Sequence, residues 1–158
     1  MKTRAIKPIT VTSAFEDGGT IPVDFTTHGR DISPPLTLSE VSENAKSIAV
    51  LMDDLDHPLF KVHNHWILWN LPPTREIPEN TPHGARVDEL GGAMQGVGYG
   101  KHKYRGPRPP FGATHRYQYN VYVLDCMINL PPKSKKVDLL RAMEQHVLQQ
   151  GHIIGRFK

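Results

Sequence analysis

The chain has 158 residues, about the length of one domain, and its composition is that of a globular protein apart from 14 prolines and 13 glycines, which predict many turns. Its formal charge of +3 is spread along the chain, which argues against a nucleic-acid partner and favours an anionic one. The single cysteine, Cys126, excludes an internal disulfide and a cysteine-rich metal site. Its position after an apolar run predicts a buried, inert thiol.

Neither a leader nor a membrane span is predicted. Residues 1–8 lack the apolar stretch of a signal peptide. No segment approaches the roughly 18 consecutive apolar residues that a membrane helix needs. We therefore expect a soluble, cytoplasmic protein without integral membrane contact.

Several short strands are predicted in chain order. Residues 9–15 alternate weakly, as an edge strand does, and residues 21–27 contain the start of another strand. Residues 47–52 and 65–71 are continuous apolar runs, typical of strands buried on both faces. Trp66 and Trp69 in the second run are predicted to lie in the core. The strongest strand pattern covers residues 117–124, with alternate side chains on one face: Tyr117, Tyr119, Val121 and Val123.

The remaining chain contains a long irregular segment and one predicted helix. Residues 74–112 are rich in glycine, proline and charge, and connections of that length are usually functional. The helix is predicted over residues 134–150, with Ser134 as its N-cap and Gly151 as its C-terminal stop. A closing strand is predicted at residues 152–157. Strands followed by one late helix predict a mostly β protein with a single domain over residues 1–158.

Carboxylates and imidazoles gather at the ends of the two buried strands. Asp54 and Asp56 follow the first strand and would share a side if the chain stays extended. His63 and His65 share a face where the second strand opens. These groups are therefore expected to lie near each other at the mouths of adjacent strands.

A proline-rich loop leads into the strongest strand. Residues 106–114 contain four prolines or glycines before position 111, and proline makes such a loop stiff. His115, Arg116 and Tyr117 then open the strand. Loops that are held by a rigid scaffold commonly carry binding residues, so His115 and Tyr117 are candidates for a site.

Four interpretations of these polar groups stay open. Two histidines at i, i+2 with an aspartate are a possible zinc arrangement. An Asp–His pair is suited to acid–base catalysis, although no serine or cysteine stands in a nucleophile setting. Imidazoles, a tyrosine hydroxyl and loop amides can bind a phosphate or carboxylate, with the aspartates orienting the histidines from behind. The same groups could also serve only to connect the loops.

Four sequence blocks resemble the phosphatidylethanolamine-binding protein family, which includes the Raf kinase inhibitor protein and bacterial and archaeal relatives. Residues 54–58 resemble the family's Asp-Pro-Asp-Ala-Pro, and residues 65–72 resemble its His-Trp-x-x-x-Asn-x-Pro. Residues 106–117 resemble its Gly-Pro-x-Pro-Pro-x-Gly-x-x-His-Arg-Tyr, and residues 31–36 its Asn-x-Ser-Pro-x-Leu. Leu55 and His57 depart from the family's proline and alanine, which predicts a less rigid loop and a solvent-facing His57.

The resemblance implies a β-sandwich of two antiparallel sheets with a C-terminal helix and a small pocket for phosphate, phosphoryl head groups or acetate. Asp56 is implied as a structural partner of the pocket loop, and Arg108 is predicted to strengthen anion binding from the rim. Carried over motif by motif, the pocket residues are Asp54, Pro58, His65, Pro110, His115 and Tyr117.

The function implied by the resemblance is a non-enzymatic protein without metal or cofactor. Its ligand would be phosphate or phosphorylethanolamine, and it would regulate a protein kinase or inhibit a serine protease. Some relatives are dimers, so a homodimer is among the expected assemblies. The alternative is a metal- or His/Asp-dependent hydrolase acting on a phosphate ester. If His65 and His115 gain charge on binding, affinity should rise as pH falls through about 6.5.

Overall fold

The computed structural model describes residues 5–158, which form two β-sheets and a short helix. The helix, α1, spans Lys136–Met143, and 3-10 turns lie at Val23–Phe25, Asp88–Leu90 and Pro110–Gly112. The strands are β1 (Lys7–Pro8), β2 (Val11–Thr12), β3 (Leu36–Leu38), β4 (Ser47–His57), β5 (Lys61–Leu71), β6 (Glu76–Ile77), β7 (Arg86–Val87), β8 (Ala93–Gln95), β9 (His115–Leu124) and β10 (Val147–Phe157).

The larger sheet has the strand order β1-β10-β9-β4-β5-β8-β7, and the smaller sheet has the order β2-β3-β6. All pairings are antiparallel except that β1 runs parallel to β10. The four long strands β10, β9, β4 and β5 are neighbours at the centre of the larger sheet. The predicted β-rich architecture with a late helix is confirmed.

The central strands supply side chains to a core on each face of the larger sheet. Because successive side chains of a strand point to opposite faces, Val50 lies in one cluster and its neighbour Leu51 in the other. The first cluster includes Leu36 and Ile77 of the smaller sheet, so the two sheets pack face to face. The second includes Leu139 of α1, which places the helix against the opposite face.

The core positions predicted for the two tryptophans and for one face of β9 are confirmed. Trp66 and Trp69 are both buried, and they lie in opposite clusters because they are three positions apart on β5. The alternate residues of β9 are all fully buried in the first cluster: Tyr117, Tyr119, Val121 and Val123.

Some strand boundaries differ from the predictions. Of residues 9–15 only Val11–Thr12 forms a strand, and residues 21–27 contain a 3-10 turn rather than the start of a strand. Both central strands are longer than predicted, since β4 and β5 extend through the polar residues 53–57 and 61–64. The irregular segment 74–112 contains β6, β7 and β8, which are each only two or three residues long.

The predicted helix was wrong at both ends. The chain leaves α1 after Met143 because Gln145 takes the left-handed conformation, with φ of 66°, and residues 147–150 belong to β10. At the other end the backbone N–H of Lys135, not Ser134, is capped, by the Asp138 carboxylate at 2.9 Å. Gly151 is no helix stop, since it lies inside β10.

No helix among residues 5–158 is long and apolar enough to cross a membrane. Residues 1–4 lie outside the described residues. The prediction that residues 1–8 carry no leader therefore stays a prediction.

Gly151 is required by the close approach of Ile9, the residue that follows β1, to β10. A Cβ atom at position 151 would overlap with the carbonyl oxygen of Ile9. This oxygen belongs to the backbone, so it cannot move aside as the end of a flexible side chain could. We expect Gly151→Ala to lower the free energy of unfolding by about 1–3 kcal/mol, the usual cost of overpacking. Urea denaturation measures the change. The exposed neighbour provides a control, since Gln150→Ala should change stability by less than about 0.5 kcal/mol; equal effects of the two variants would refute the steric account.

Candidate functional site

Asp54 and His115 form a buried pair between neighbouring strands. The register of β4 and β9 sets Asp54 opposite Tyr117, which brings its carboxylate to His115. The Asp54 Oδ2 atom accepts a hydrogen bond from His115 Nδ1 at 2.8 Å, and each residue is 4% exposed. Because an ionised carboxylate only accepts, the ring carries a proton on Nδ1 and Nε2 is left for another partner. This contact is the one that the predicted orienting role of an aspartate behind His115 requires.

Tyr117 lies between the two site histidines. Its ring centroid is 6.3 Å from that of His115 and 5.7 Å from that of His65. Burial and the nearby charge of Asp54 raise the pKa of Tyr117 well above its usual value, although the backbone N–H of Arg108 opposes the rise. The hydroxyl is buried and has no well-formed hydrogen bond among the described residues. It is therefore a protonated donor that lacks an acceptor.

His65 is held by the backbone rather than by an aspartate. Its Nδ1 atom donates to the carbonyl oxygen of Arg105 at 2.8 Å, and the residue is 3% exposed. Burial lowers the pKa of His65 to about 4, and the Arg105 carbonyl opposes this only in part. His65 is therefore neutral in the free protein at neutral pH. The expected rise in affinity as pH falls through about 6.5 concerns the bound state and stays a prediction.

A rim of aromatic rings surrounds the buried groups. The His63 ring lies 5.2 Å from those of His65 and Tyr99, and the Arg105 guanidinium lies 4.0 Å above the Tyr99 ring. Burial, followed by the charge of His57, lowers the pKa of His63. Sequence reasoning missed Tyr99 and Arg105. The signal available was a tyrosine between two glycines, Gly98 and Gly100, in the long irregular segment.

His57 does not simply face solvent as predicted. Its ring stacks on Phe60 at 4.6 Å and lies 4.9 Å from the His63 ring. Its Nδ1 atom accepts hydrogen bonds from the backbone N–H groups of Leu59 and Phe60, both at 3.1 Å. The turn between β4 and β5, which was expected to be less rigid, is therefore held by a side chain.

Asp56 has the contacts of a structural residue. Its Oδ2 atom accepts from the backbone N–H of Arg116 at 2.8 Å, and its two oxygens pair with the Arg116 guanidinium. The hydrogen bond from Arg116 lowers the pKa of Asp56. Asp54 and Asp56, predicted to share a side, have different partners on β9, since Asp54 pairs with His115 and Asp56 with Arg116.

The proline-rich loop is tied to the start of the chain before it enters β9. The Asp31 carboxylate accepts a hydrogen bond from the backbone N–H of Gly106 at 2.7 Å. Burial raises the pKa of Asp31, and this hydrogen bond offsets only part of the rise. The Thr27 hydroxyl donates to the Pro107 carbonyl at 3.1 Å. A Cβ atom on Gly106 would overlap with the Phe25 carbonyl oxygen, so only glycine fits where the loop crosses the chain.

The structure brings together four of the six predicted pocket residues. Asp54, His65, His115 and Tyr117 form one buried cluster. Pro58 and Pro110 are exposed on the turns beside it, as is Arg108, and their roles stay predictions. Two surface grooves, of about 880 and 600 Å³, contain none of the six residues. The site is thus a compact polar cluster, and we assign it by its chemistry rather than by groove size.

The predicted zinc arrangement of two histidines and an aspartate is not formed at this cluster. Among residues 5–158, the one group of three side chains with metal-ligand spacing is Asp125, Cys126 and His146. Cys126 is half-buried rather than buried as predicted. Burial and the charge of Asp125 raise the pKa of its thiol, so it is a poor nucleophile in the free protein.

Comparison with known proteins decides the family. The family model for phosphatidylethanolamine-binding protein matches residues 11–158. The chain belongs to the phosphatidylethanolamine-binding protein family. A UPF0098 protein of Pyrococcus abyssi (strain GE5 / Orsay) is 41% identical over 152 residues, which cover 95% of this chain and 85% of that protein.

A solved structure and a further relative agree with this assignment. The homologue CT736 from Chlamydia trachomatis, described as a phosphatidylethanolamine-binding protein, has a TM-score of 0.83 and 33% identity, covering 96% of this chain and 98% of that one. LppC of Mycobacterium tuberculosis (strain ATCC 25618 / H37Rv), whose name includes the word lipoprotein, is 33% identical over 98% of this chain and 74% of that protein. The predicted family and fold are therefore confirmed.

The neutral, buried state of His65 makes stability depend on pH. The unfolded chain takes up a proton below about pH 6.5, whereas folded His65 does so only near pH 4. The free energy of unfolding is therefore unaffected above about pH 6.5. It falls by about 3 kcal/mol in total as the pH drops from about 6.5 to about 4. Urea denaturation should show that His65→Gln has a shallower loss between about pH 6.5 and 4.5 than wild type. His152→Gln, an exposed control, should keep the wild-type slope; an unchanged slope in His65→Gln would contradict the burial account.

Proposed function

We propose that this family member binds a small oxyanion, phosphate or a phosphoryl head group such as phosphorylethanolamine, at Asp54, His65, His115 and Tyr117. The observation that carries the proposal is the buried hydroxyl of Tyr117, a donor without a well-formed partner, beside a histidine whose ring is fixed by Asp54. A buried donor of this kind is usually satisfied by a water, an ion or a ligand. An oxyanion supplies the acceptor atoms that this donor lacks.

The protonation states indicate which form of the anion fits. Tyr117 donates its O–H, and His115 presents its Nε2 atom because its Nδ1 atom is bonded to Asp54. His65 uses its own proton on the Arg105 carbonyl, so its Nε2 atom is an acceptor. A phosphoryl group with one protonated oxygen can accept from the Tyr117 hydroxyl and donate to the Nε2 atom of His65. Affinity should therefore rise as pH falls towards about 6, the second pKa of phosphate esters, where the monoanion becomes abundant.

Basic side chains at the rim add to the attraction. Arg108 is exposed on the loop whose backbone N–H interacts with the Tyr117 hydroxyl. Arg116 is already paired with Asp56, and Arg105 lies over Tyr99. Arg108 is therefore the rim cation that we assign to the incoming anion, in a solvent-exposed position where salt screens the interaction.

Calorimetric titration of phosphate and phosphorylethanolamine tests the site. Wild type should bind, Tyr117→Phe should bind about 10-fold more weakly through loss of one hydrogen bond, and His115→Ala should lose binding. Arg108→Ala should weaken binding a few-fold, more at low salt than at high salt. His152→Ala is the control, since it changes an exposed histidine elsewhere on the larger sheet. Absence of binding by folded wild type would refute the proposal, and full affinity of Arg108→Ala would remove that residue's role.

We propose that anion binding serves regulation of a protein kinase or serine protease rather than catalysis. Exposed apolar side chains flank the cluster, Phe60 against the His57 and His63 rings and Phe111 on the 110–112 turn, and such surfaces suit a protein partner. The compartment that we propose is the cytoplasm, and cell fractionation would test it. The word lipoprotein in the name of LppC describes that relative and is not carried over to this chain. A homodimer is compatible with this proposal, and light scattering would detect it.

The Asp54–His115 pair also favours a second candidate, a phosphate-ester hydrolase, because a carboxylate behind an imidazole is the arrangement of a general base. Against it, no serine, threonine or cysteine side chain among residues 5–158 hydrogen-bonds to His65 or His115. We expect no turnover of p-nitrophenyl phosphate by wild type. Turnover that is abolished in Asp54→Asn and retained in His152→Ala would establish the hydrolase, whereas inhibition of a kinase or protease without turnover supports the regulator.

A further inference from the structure

A second cluster of reactive side chains lies at the far end of the larger sheet. Asp125 and Cys126 follow the last residue of β9, whereas His115 opens that strand, so roughly 30 Å of extended chain separates the two places. His146 precedes β10, the antiparallel neighbour of β9. We propose that Asp125, Cys126 and His146 bind one divalent transition-metal ion, of which zinc fits best.

The three side chains already converge. One ligand atom from each lies within 4.8 Å of the others, and Asp125 Oδ1 is 2.8 Å from His146 Nδ1. Zinc–ligand distances of about 2.0–2.3 Å place two ligands of one tetrahedral ion about 3.5 Å apart. Side-chain movements of about an ångström would therefore close the set around an ion. Such movements are available because all three residues are only partly buried.

The backbone holds this arrangement without a metal. The N–H of Asp125 donates to the carbonyl of His146 at 3.0 Å, which joins the two strand ends directly. The Ser47 hydroxyl donates to the Cys126 carbonyl at 2.6 Å. Gln145, with its left-handed backbone, turns the chain so that His146 returns to the sheet. The ligands thus come from two strand ends whose positions the fold already fixes. Metal binding would therefore not have to offset the entropy cost of ordering a loop.

The donor set selects the kind of ion. A thiolate, an imidazole and a carboxylate suit borderline-soft ions such as zinc, whereas magnesium and calcium prefer oxygen ligands alone. Three protein ligands leave one position of a tetrahedral ion for water. On binding, the thiol proton leaves to solvent. The single N–H proton of the neutral His146 ring moves from Nδ1 to Nε2 through solvent, so that the Nδ1 lone pair and the Asp125 carboxylate face the ion. The ion would then connect the end of β9 to the start of β10.

Zinc binding by the tag-free full-length chain tests this proposal, with a chromophoric chelator as competitor. We expect one equivalent of zinc for wild type, and affinity lowered at least about 10-fold in Cys126→Ser and in His146→Gln, since even outer residues of zinc sites commonly contribute that much. His152→Gln is the matched control, because it replaces an exposed histidine on β10 itself. His65→Gln should also keep one equivalent, which separates this ion from the anion site.

A measurement on wild type alone guards against variants that fail to fold. Zinc should protect Cys126, the only thiol in the chain, from alkylation, and cobalt should give the absorption of a thiolate-bound tetrahedral ion. The proposal is overturned if wild type binds no equivalent of zinc, if Cys126→Ser binds as tightly as wild type, or if His65→Gln is the variant that loses the ion. A failure to bind phosphate would count against the anion site and not against the zinc site, because the zinc experiment changes Cys126 and His146 and measures a different ligand.

Discussion

The hydrogen bond between Asp54 and His115 is the interaction on which the functional end of the molecule depends. The Asp54 carboxylate could not be buried alone, because an unpaired carboxylate away from water is costly and usually becomes protonated. The pair requires β4 and β9 to be neighbours in one register, since a slip by one residue would turn Asp54 to the other face of the sheet. The adjoining Asp56–Arg116 contacts reinforce that register. Fold and site therefore specify each other at this point.

The fold was predictable wherever burial sets a period. The alternation along β9 and the continuous apolar runs of β4 and β5 predicted the centre of the larger sheet. A strand with one buried face repeats every two residues, and a strand with two buried faces is apolar throughout. The end of α1 was not predictable in this way. Val147 and Leu148 continue the apolar pattern of the helix, and only the left-handed turn at Gln145 sends them into β10. A non-glycine residue in that conformation has no sequence signal of its own.

The site was predictable in its strand-borne residues and less so in its loop-borne ones. The resemblance named Asp54, His65, His115 and Tyr117, and strand pairing brings them together. It could not show that a backbone carbonyl, that of Arg105, orients His65, because any residue supplies the same carbonyl. Tyr99 was missed because its contact with His65 depends on the path of an aperiodic loop. Asp125 and His146 are 21 positions apart, and only the pairing of β9 with β10 reveals them as neighbours.

The central claim is that an oxyanion contacts the buried imidazoles, and imidazole nitrogen NMR during a phosphate titration tests it most directly. The account predicts that the Nε2 resonances of His115 and His65 shift together and saturate with one binding constant. It also predicts that the resonances of His146 and His152, at the other end of the sheet and on its exposed surface, stay unchanged. Saturable shifts confined to His146 or His152, or no shift at His115 despite measured binding, would contradict the account.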